Sequence, residues 1–172
     1  MQFNNFEIMA PGLIDEPWIE ASALGAITWL WMHSDTHRDA PLHTLPAVLL
    51  PAIKHRQFML GSEAGKPVFY LSWLNLSEES EARYLKNSPL MLSEEDWNSG
   101  DRVWIEDWIA PFGHSAAFRR LVQRHLFANV CMRSLHHQGE SRGARVKTFK
   151  GSNVTREQAN AWFAARPMAV AL

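Results

Sequence analysis

At 172 residues, with 47% hydrophobic and 20% charged residues, the chain suits one soluble globular domain with a full-sized core. A single cysteine, Cys131, excludes an intrachain disulfide and fits a reducing compartment as a buried, inert thiol. The net charge of −1 hides an asymmetry: residues 1–112 carry 7 Lys/Arg against 16 Asp/Glu (−9), and residues 113–172 carry 10 against 2 (+8).

Either the two halves neutralise each other in the fold or the second leaves a basic surface for an acidic partner. The opening MQFNNFEIMAPG lacks the basic-then-apolar order of a signal peptide. No run of about eighteen apolar residues offers a membrane span. The expected location is the cytoplasm.

Residues 1–14 show no periodicity and read as a flexible lead-in to a domain over 15–172. Asp15 as N-cap and Pro17 in the first turn open a helix, and Trp18, Ala21, Leu24 and Ile27 recur at helical spacing toward Met32. Residues 34–41, SDTHRDAP, are a polar break. A short helix over 45–50 is stopped by Pro51. Residues 57–60 and 67–73 predict strands joined by the turn SEAGK, a hairpin signal. Ser77 caps a helix to Leu85, with Ser80 where a capping box would place an acid or amide. Residues 90–101 read as irregular.

The stretch GDRVWIEDWIAPFG, Gly100 to Gly113, stands out. As a strand over 103–109 it puts Val103, Ile105, Asp107 and Ile109 on one face and Trp104, Glu106 and Trp108 on the other. Both faces are apolar, which marks a central strand, and both carry a carboxylate that must be paired if buried. Three of the eight tryptophans, Trp97, Trp104 and Trp108, cluster here and read as core. Pro111-Phe112-Gly113 then breaks the strand.

A helix follows over 115–127, with Phe118, Leu121 and Val122 inward and Arg119, Arg120 and Arg124 outward. A strand over 129–135, a polar turn over 136–143 and a strand over 144–149 form a hairpin. Thr155 and Gln158 are a capping box opening a last helix to Ala165. The element order predicts an α/β (α+β) fold in one domain, with a mixed, largely antiparallel sheet flanked by helices.

The chemistry turns on what faces Asp107. Among eight histidines, His33 and His37 are four apart, but the break after Ser34 takes them off a shared helix. No third ligand accompanies them, so no metal site is expected. His136 and His137 read as solvated turn residues, and His55, His114 and His125 as surface residues. His37 lies in a polar loop directly after the first helix, where scaffolded function concentrates. A GxSxG elbow and a Walker loop are absent, Cys131 lies mid-strand without an acidifying environment, and the glycines of HQGESRG lie between two strands.

Taken together, GAITWLWMHSDTHRDAP, LLPAIKHRQFML, PVFYLSWLNLSEESEARYL and SEEDWNSGDRVWIEDWIAPFG resemble the RTX toxin-activating lysine acyltransferases. The resemblance runs from about Gly25 to Phe127 and more weakly through the C-terminal hairpin. It implies a GNAT-like fold and transfer of a fatty acyl chain from acyl–acyl carrier protein to an internal lysine of a protoxin. No bound cofactor is implied, since the acyl-4'-phosphopantetheine arrives on the carrier. Catalytic roles fall by this resemblance on His37 and Asp107, with Ser34 in support. Members act in the cytoplasm and tend to dimerise.

The residue types suit that chemistry. At pH 7 only about one lysine amine in 2,500 is neutral. A histidine can take the amine's proton as it attacks a thioester, and a carboxylate can fix the imidazole's tautomer. Asp107 could instead receive the ammonium directly, and an acyl-histidine route stays open. Backbone N–H groups after Gly113 could receive the thioester oxygen or the pantetheine arm.

The chain departs from related patterns at two places. The strand-to-helix turn APFGHSA is a poor pyrophosphate cradle, which agrees with a carrier-protein donor. Val48 stands where some relatives have an asparagine that assists catalysis, which leaves that task to Ser34 or Asn75. Arg119, Arg120 and Arg124 are the expected docking face for an acidic carrier. The competing readings are a catalytically impaired relative that binds an acidic protein, and a nucleic-acid-binding domain, for which no motif is present.

Overall fold

Seven strands form a sheet in the order β1-β2-β3-β4-β5-β6-β7 in the computed structural model, which describes residues 1–87, 92–138 and 141–170. The strands are β1 (Gln2–Phe3), β2 (Phe6–Met9), β3 (Phe58–Glu63), β4 (Lys66–Leu76), β5 (Arg102–Ile109), β6 (Cys131–Gln138) and β7 (Ser141–Lys150). The helices are α1 (Glu20–Met32), α2 (Leu45–Val48), α3 (Leu50–Lys54), α4 (Glu78–Lys86), α5 (Ser115–Leu121) and α6 (Arg156–Ala165). This is the expected mixed α/β architecture, and its sheet is mostly antiparallel. The chain packs as two compact units, Met1–Trp73 with Asp107–Phe118, and Leu74–Glu106 with Arg119–Leu172.

In the first unit α1 buries Ala23, Ile27, Leu30 and Trp31 against Leu49, Ile53, Phe58, Leu60, Tyr70 and Ile109. The helix opens at Glu20 with no side-chain cap bond and with Ile19 in the cap position, four residues after the expected cap at Asp15. Pro51 sits in the first turn of α3 and so begins a helix where a stop was expected; a missing N–H costs nothing there. β3 and β4 extend past the expected strands and pair antiparallel, with Leu60 opposite Tyr70. The left-handed Ala64 and Gly65 make the turn between them.

The stretch expected to be a flexible lead-in holds two strands. β1 and β2 form a hairpin, and β2 pairs with β3 with Ile8 opposite Gly61. Two inward residues, Phe6 and Ile8, are too few to show a period of two in sequence, yet an edge of β3 supplies the pairing that makes them a strand. Gly61 is required by packing. A Cβ there would stand 2.3 Å from the Phe118 ring, which stacks on Phe69 at 4.2 Å and 2°.

In the second unit β5 and β6 are parallel, with Trp104 opposite Arg133, and β6 pairs antiparallel with β7. A parallel pair needs a crossover. Here it is α5 followed by a π-helical stretch, Val122–Leu126, where one continuous helix was expected. Ser77 caps α4 by accepting from the Ser80 N–H, and Ser80 Oγ donates to Asp96 at 2.6 Å. Thr155 and Gln158 form the expected capping box on α6. Strand pairing continues to Gln138 opposite Ser141, so the expected eight-residue turn is shorter. Its tip, the side chains of His136 and His137 among it, lies outside the described residues, as does the start of the expected irregular stretch from Leu90. That stretch otherwise contains a 3-10 turn at Glu94–Trp97.

Glu81 is wholly buried in this unit. It accepts from Arg102 Nη1 at 2.6 Å, Trp104 Nε1 at 2.8 Å, Arg133 Nη1 at 3.2 Å and the Ala169 N–H at 3.0 Å. Burial lowers the Arg133 pKa, and the Glu81 carboxylate opposes that shift. The acidic and basic halves of the sequence do neutralise each other here, and Arg166 with Asp101 repeats the pattern.

Candidate active site

α1 ends at Met32, where the His33 and Ser34 N–H groups bond back to Leu30 and Trp31 carbonyls. The chain then coils on itself: the His37 and Arg38 N–H groups both donate to the Ser34 carbonyl, at 3.0 and 2.9 Å. Short hydroxyl and carboxylate side chains favour such turns because they bond to nearby backbone and side-chain groups. The coil lays the His37 ring against Trp31, centroids 4.8 Å apart.

His37 Nε2 is 3.0 Å from Asp107 Oδ1, a contact between residues 70 apart in sequence. The two side chains are 21% and 18% exposed, so the pair is shielded yet open on one side. On the other edge of the ring, Nδ1 lies 2.9 Å from Ser34 Oγ and 2.8 Å from Thr36 Oγ1. The structure thus brings His37, Asp107 and Ser34 into one hydrogen-bonded line.

The hydrogen-bond inventory sets the tautomer. A carboxylate only accepts, so the proton of a neutral imidazole belongs on Nε2, which donates to Asp107. Nδ1 then carries the free lone pair and accepts from a hydroxyl. The arrangement is an imidazole whose unprotonated nitrogen faces Ser34 and Thr36 and whose far nitrogen is anchored by a carboxylate.

The remaining candidates lie elsewhere. His33 Nδ1 is bonded to the Trp29 carbonyl at 2.8 Å, and its ring packs on Trp29 and Phe112. Among the described residues, no three His, Cys, Asp or Glu side chains converge as metal ligands would. His114, expected at the surface, is half-buried: Nε2 meets Glu63 at 3.2 Å and Nδ1 is buried without a hydrogen-bond partner among the described residues. His55 is half-buried and His125 is exposed. Asn75 donates to Asn98 Oδ1 at 3.1 Å. Val48 packs against the α1 core. Burial pushes the Cys131 thiol up, against the pull of Lys150 and Arg166, which keeps it protonated and inert.

Arg119, Arg120 and Arg124 are exposed and make no ion pair among the described residues. Thr36 and the His114–Glu63 pair were not singled out from sequence. Thr36 had a local signal, a hydroxyl beside the histidine in a polar turn. The His114–Glu63 pair had none, since its partners are 51 residues apart.

Among the described residues no helix is long and apolar enough to cross a membrane. Comparison with known proteins gives consistent matches. The model of the RTX toxin acyltransferase family matches residues 16–150. The leukotoxin-activating lysine-acyltransferase LktC (serotype A11) of Mannheimia haemolytica is 38% identical over 142 residues, covering 81% of this chain and 83% of that protein. The protein-lysine myristoyltransferase HlyC of Escherichia coli is 38% identical over 140 residues, covering 81% of each. RtxC of Kingella kingae, also a protein-lysine myristoyltransferase, is 38% identical over 133 residues, covering 77% of this chain and 78% of its own.

Proposed function

This chain belongs to the RTX toxin acyltransferase family and is an acyltransferase of protein lysines, and on that premise we propose that His37 is its general base and Asp107 the group that holds it. The observation that carries the reading is the 3.0 Å contact from His37 Nε2 to Asp107, which leaves Nδ1 as the basic atom. The acceptor is an internal lysine of an RTX-type protoxin, and the donor is a fatty acyl thioester on the phosphopantetheine arm of acyl carrier protein.

The neutral lysine Nζ attacks the thioester carbonyl carbon, and His37 Nδ1 removes a proton from the amine as the C–N bond forms. The imidazolium is bonded at Nε2 to the Asp107 carboxylate, which offsets its new charge. The C–S bond then breaks, and the departing thiolate takes the proton back from Nδ1. The products are an amide on the lysine and a free carrier thiol. His37 returns to its starting state, so no acyl-enzyme is required.

The strand-to-helix turn favours a carrier-borne donor over acyl-CoA. Apart from Gly113, at φ 86°, the turn APFGHSA has no glycine that would let backbone N–H groups cradle a diphosphate. The exposed Arg119, Arg120 and Arg124, which make no ion pair among the described residues, suit a strongly acidic carrier. The test supplies myristoyl–acyl carrier protein or myristoyl-CoA with a candidate protoxin and reads lysine acylation by intact mass. The reading expects acylation from the carrier donor. It also expects Arg120→Glu with Arg124→Glu to weaken carrier binding, most at low salt. Binding of the carrier with no acylation of any protoxin would favour the impaired-binder alternative, and carrier affinity unchanged by the reversal at low salt would refute the docking face.

A further inference from the structure

We propose that Thr36 is a second positioning residue for the base, sharing His37 Nδ1 with Ser34. The inference rests on His37 as the base and concerns how its basic atom is kept ready. Thr36 Oγ1 is 2.8 Å from Nδ1, Ser34 Oγ is 2.9 Å from it, and the two hydroxyls are 3.1 Å apart. The three atoms form a closed triangle.

Nδ1 has one in-plane lone pair, and each hydroxyl has one proton and can also accept. The triangle therefore has two proton arrangements. In one, Ser34 donates to Thr36 and Thr36 donates to Nδ1. In the other, Thr36 donates to Ser34 and Ser34 donates to Nδ1. Both satisfy the neutral ring, and chained donors polarise each other. When Nδ1 takes the lysine proton, either hydroxyl accepts from it without the ring moving.

The two hydroxyls are not placed alike. Ser34 is half-buried at the end of α1, and its carbonyl accepts the His37 N–H, so it is fixed to the coil that carries the ring. Thr36 is exposed and precedes the histidine directly. An incoming amine must displace one hydroxyl from the lone pair. Thr36, on the solvent side, turns about χ1 to another staggered well and frees the lone pair, while Ser34, fixed to the coil, stays in place beside Nδ1. The chain thus carries a fixed and a movable donor on one basic atom.

The test uses the full-length protein with Thr36→Val, Thr36→Ser, Ser34→Ala and the double variant Ser34→Ala/Thr36→Val. One hydrogen bond corresponds to a loss of roughly three- to tenfold in kcat for Thr36→Val. Thr36→Ser restores most of the rate. The double variant loses more than the product of the two single losses, because each hydroxyl substitutes for the other. A double variant no slower than Ser34→Ala, or a Thr36→Ser variant as slow as Thr36→Val, would overturn the proposal.

A readout independent of turnover is the 15N resonance of the His37 ring. It should show a proton on Nε2 and a hydrogen-bonded Nδ1 in the parent and in each single variant, and the Nδ1 signal should move toward that of a free lone pair in Ser34→Ala/Thr36→Val. An Nδ1 signal unmoved in the double variant, or already at the free position in Thr36→Val, also overturns the proposal. Were His37 not the base, His37→Ala would keep activity while this spectrum still reported the shared hydroxyls, so the two failures are distinguishable.

Discussion

Replacing Glu81 by alanine tests how the buried charges of the second unit are held. Its carboxylate is 0% exposed and accepts four hydrogen bonds, two of them from the guanidinium groups of Arg102 and Arg133, themselves 6% and 3% exposed. Removing one partner of a buried ion pair costs about 3–5 kcal/mol, because the other charge is left uncompensated. Arg102 keeps Glu78 at 2.9 Å and the Pro167 carbonyl at 2.6 Å, so it is not orphaned. Arg133 keeps the Arg166 carbonyl but loses its carboxylate. The cost therefore corresponds to one stranded guanidinium. For a chain of this length a loss of that size lowers the melting temperature by on the order of 10 °C.

Urea unfolding followed by tryptophan emission reads the loss directly. Glu78→Gln is the matched control, since Glu78 is 71% exposed and its contact with Arg102 contributes at most about 1 kcal/mol. A Glu81→Ala protein within about 1 kcal/mol of the parent would refute the reasoning.

Two further outcomes follow from the geometry. Asp107→Asn keeps the size of the side chain, but its amide can donate to Nε2 and move the ring proton to Nδ1, removing the basic lone pair. The expected result is a fall in kcat of about a hundredfold or more with KM little changed and the fold intact by circular dichroism, and a loss below tenfold would contradict the tautomer argument. Burial pushes the Asp96 carboxyl up, but bonds from Arg83, Ser80 and Ser93 outweigh it and hold the group well below the usual carboxylate range. A depressed folded pKa gives stability that is present above the unfolded value near 4 and lost as pH falls through the folded one. Acid titration of stability should therefore be shallower in Asp96→Asn than in the parent between about pH 5 and 2, and parallel curves would contradict the assignment.

What could be read in the sequence was local. Alternation in β5 marked Asp107 as an acid on an apolar face, and the polar break after α1 marked His37 as the histidine to watch. Ser77 and the Thr155–Gln158 box were legible because a cap and its bond lie within one helical turn. What stayed hidden needs partners from far along the chain. β1 and β2 are strands only because β3 offers an edge. Nothing within the acidic helix SEESEARYL singles out Glu81, because Arg102, Arg133 and Ala169 close around it from far along the chain. Thr36 was near enough to be noticed, but nothing in SDTH shows which ring nitrogen the hydroxyls meet. That depends on Asp107 occupying the other one.

The central claim is that His37, held by Asp107, takes the proton of the attacking lysine. It is tested most directly by acyl transfer to a protoxin lysine from a saturating acyl–acyl carrier protein, measured by intact mass for the parent, His37→Ala and Asp107→Ala. The account predicts lysine acylation by the parent and its loss in both variants, each still folded and able to bind the carrier. Acylation that survives both substitutions would contradict it.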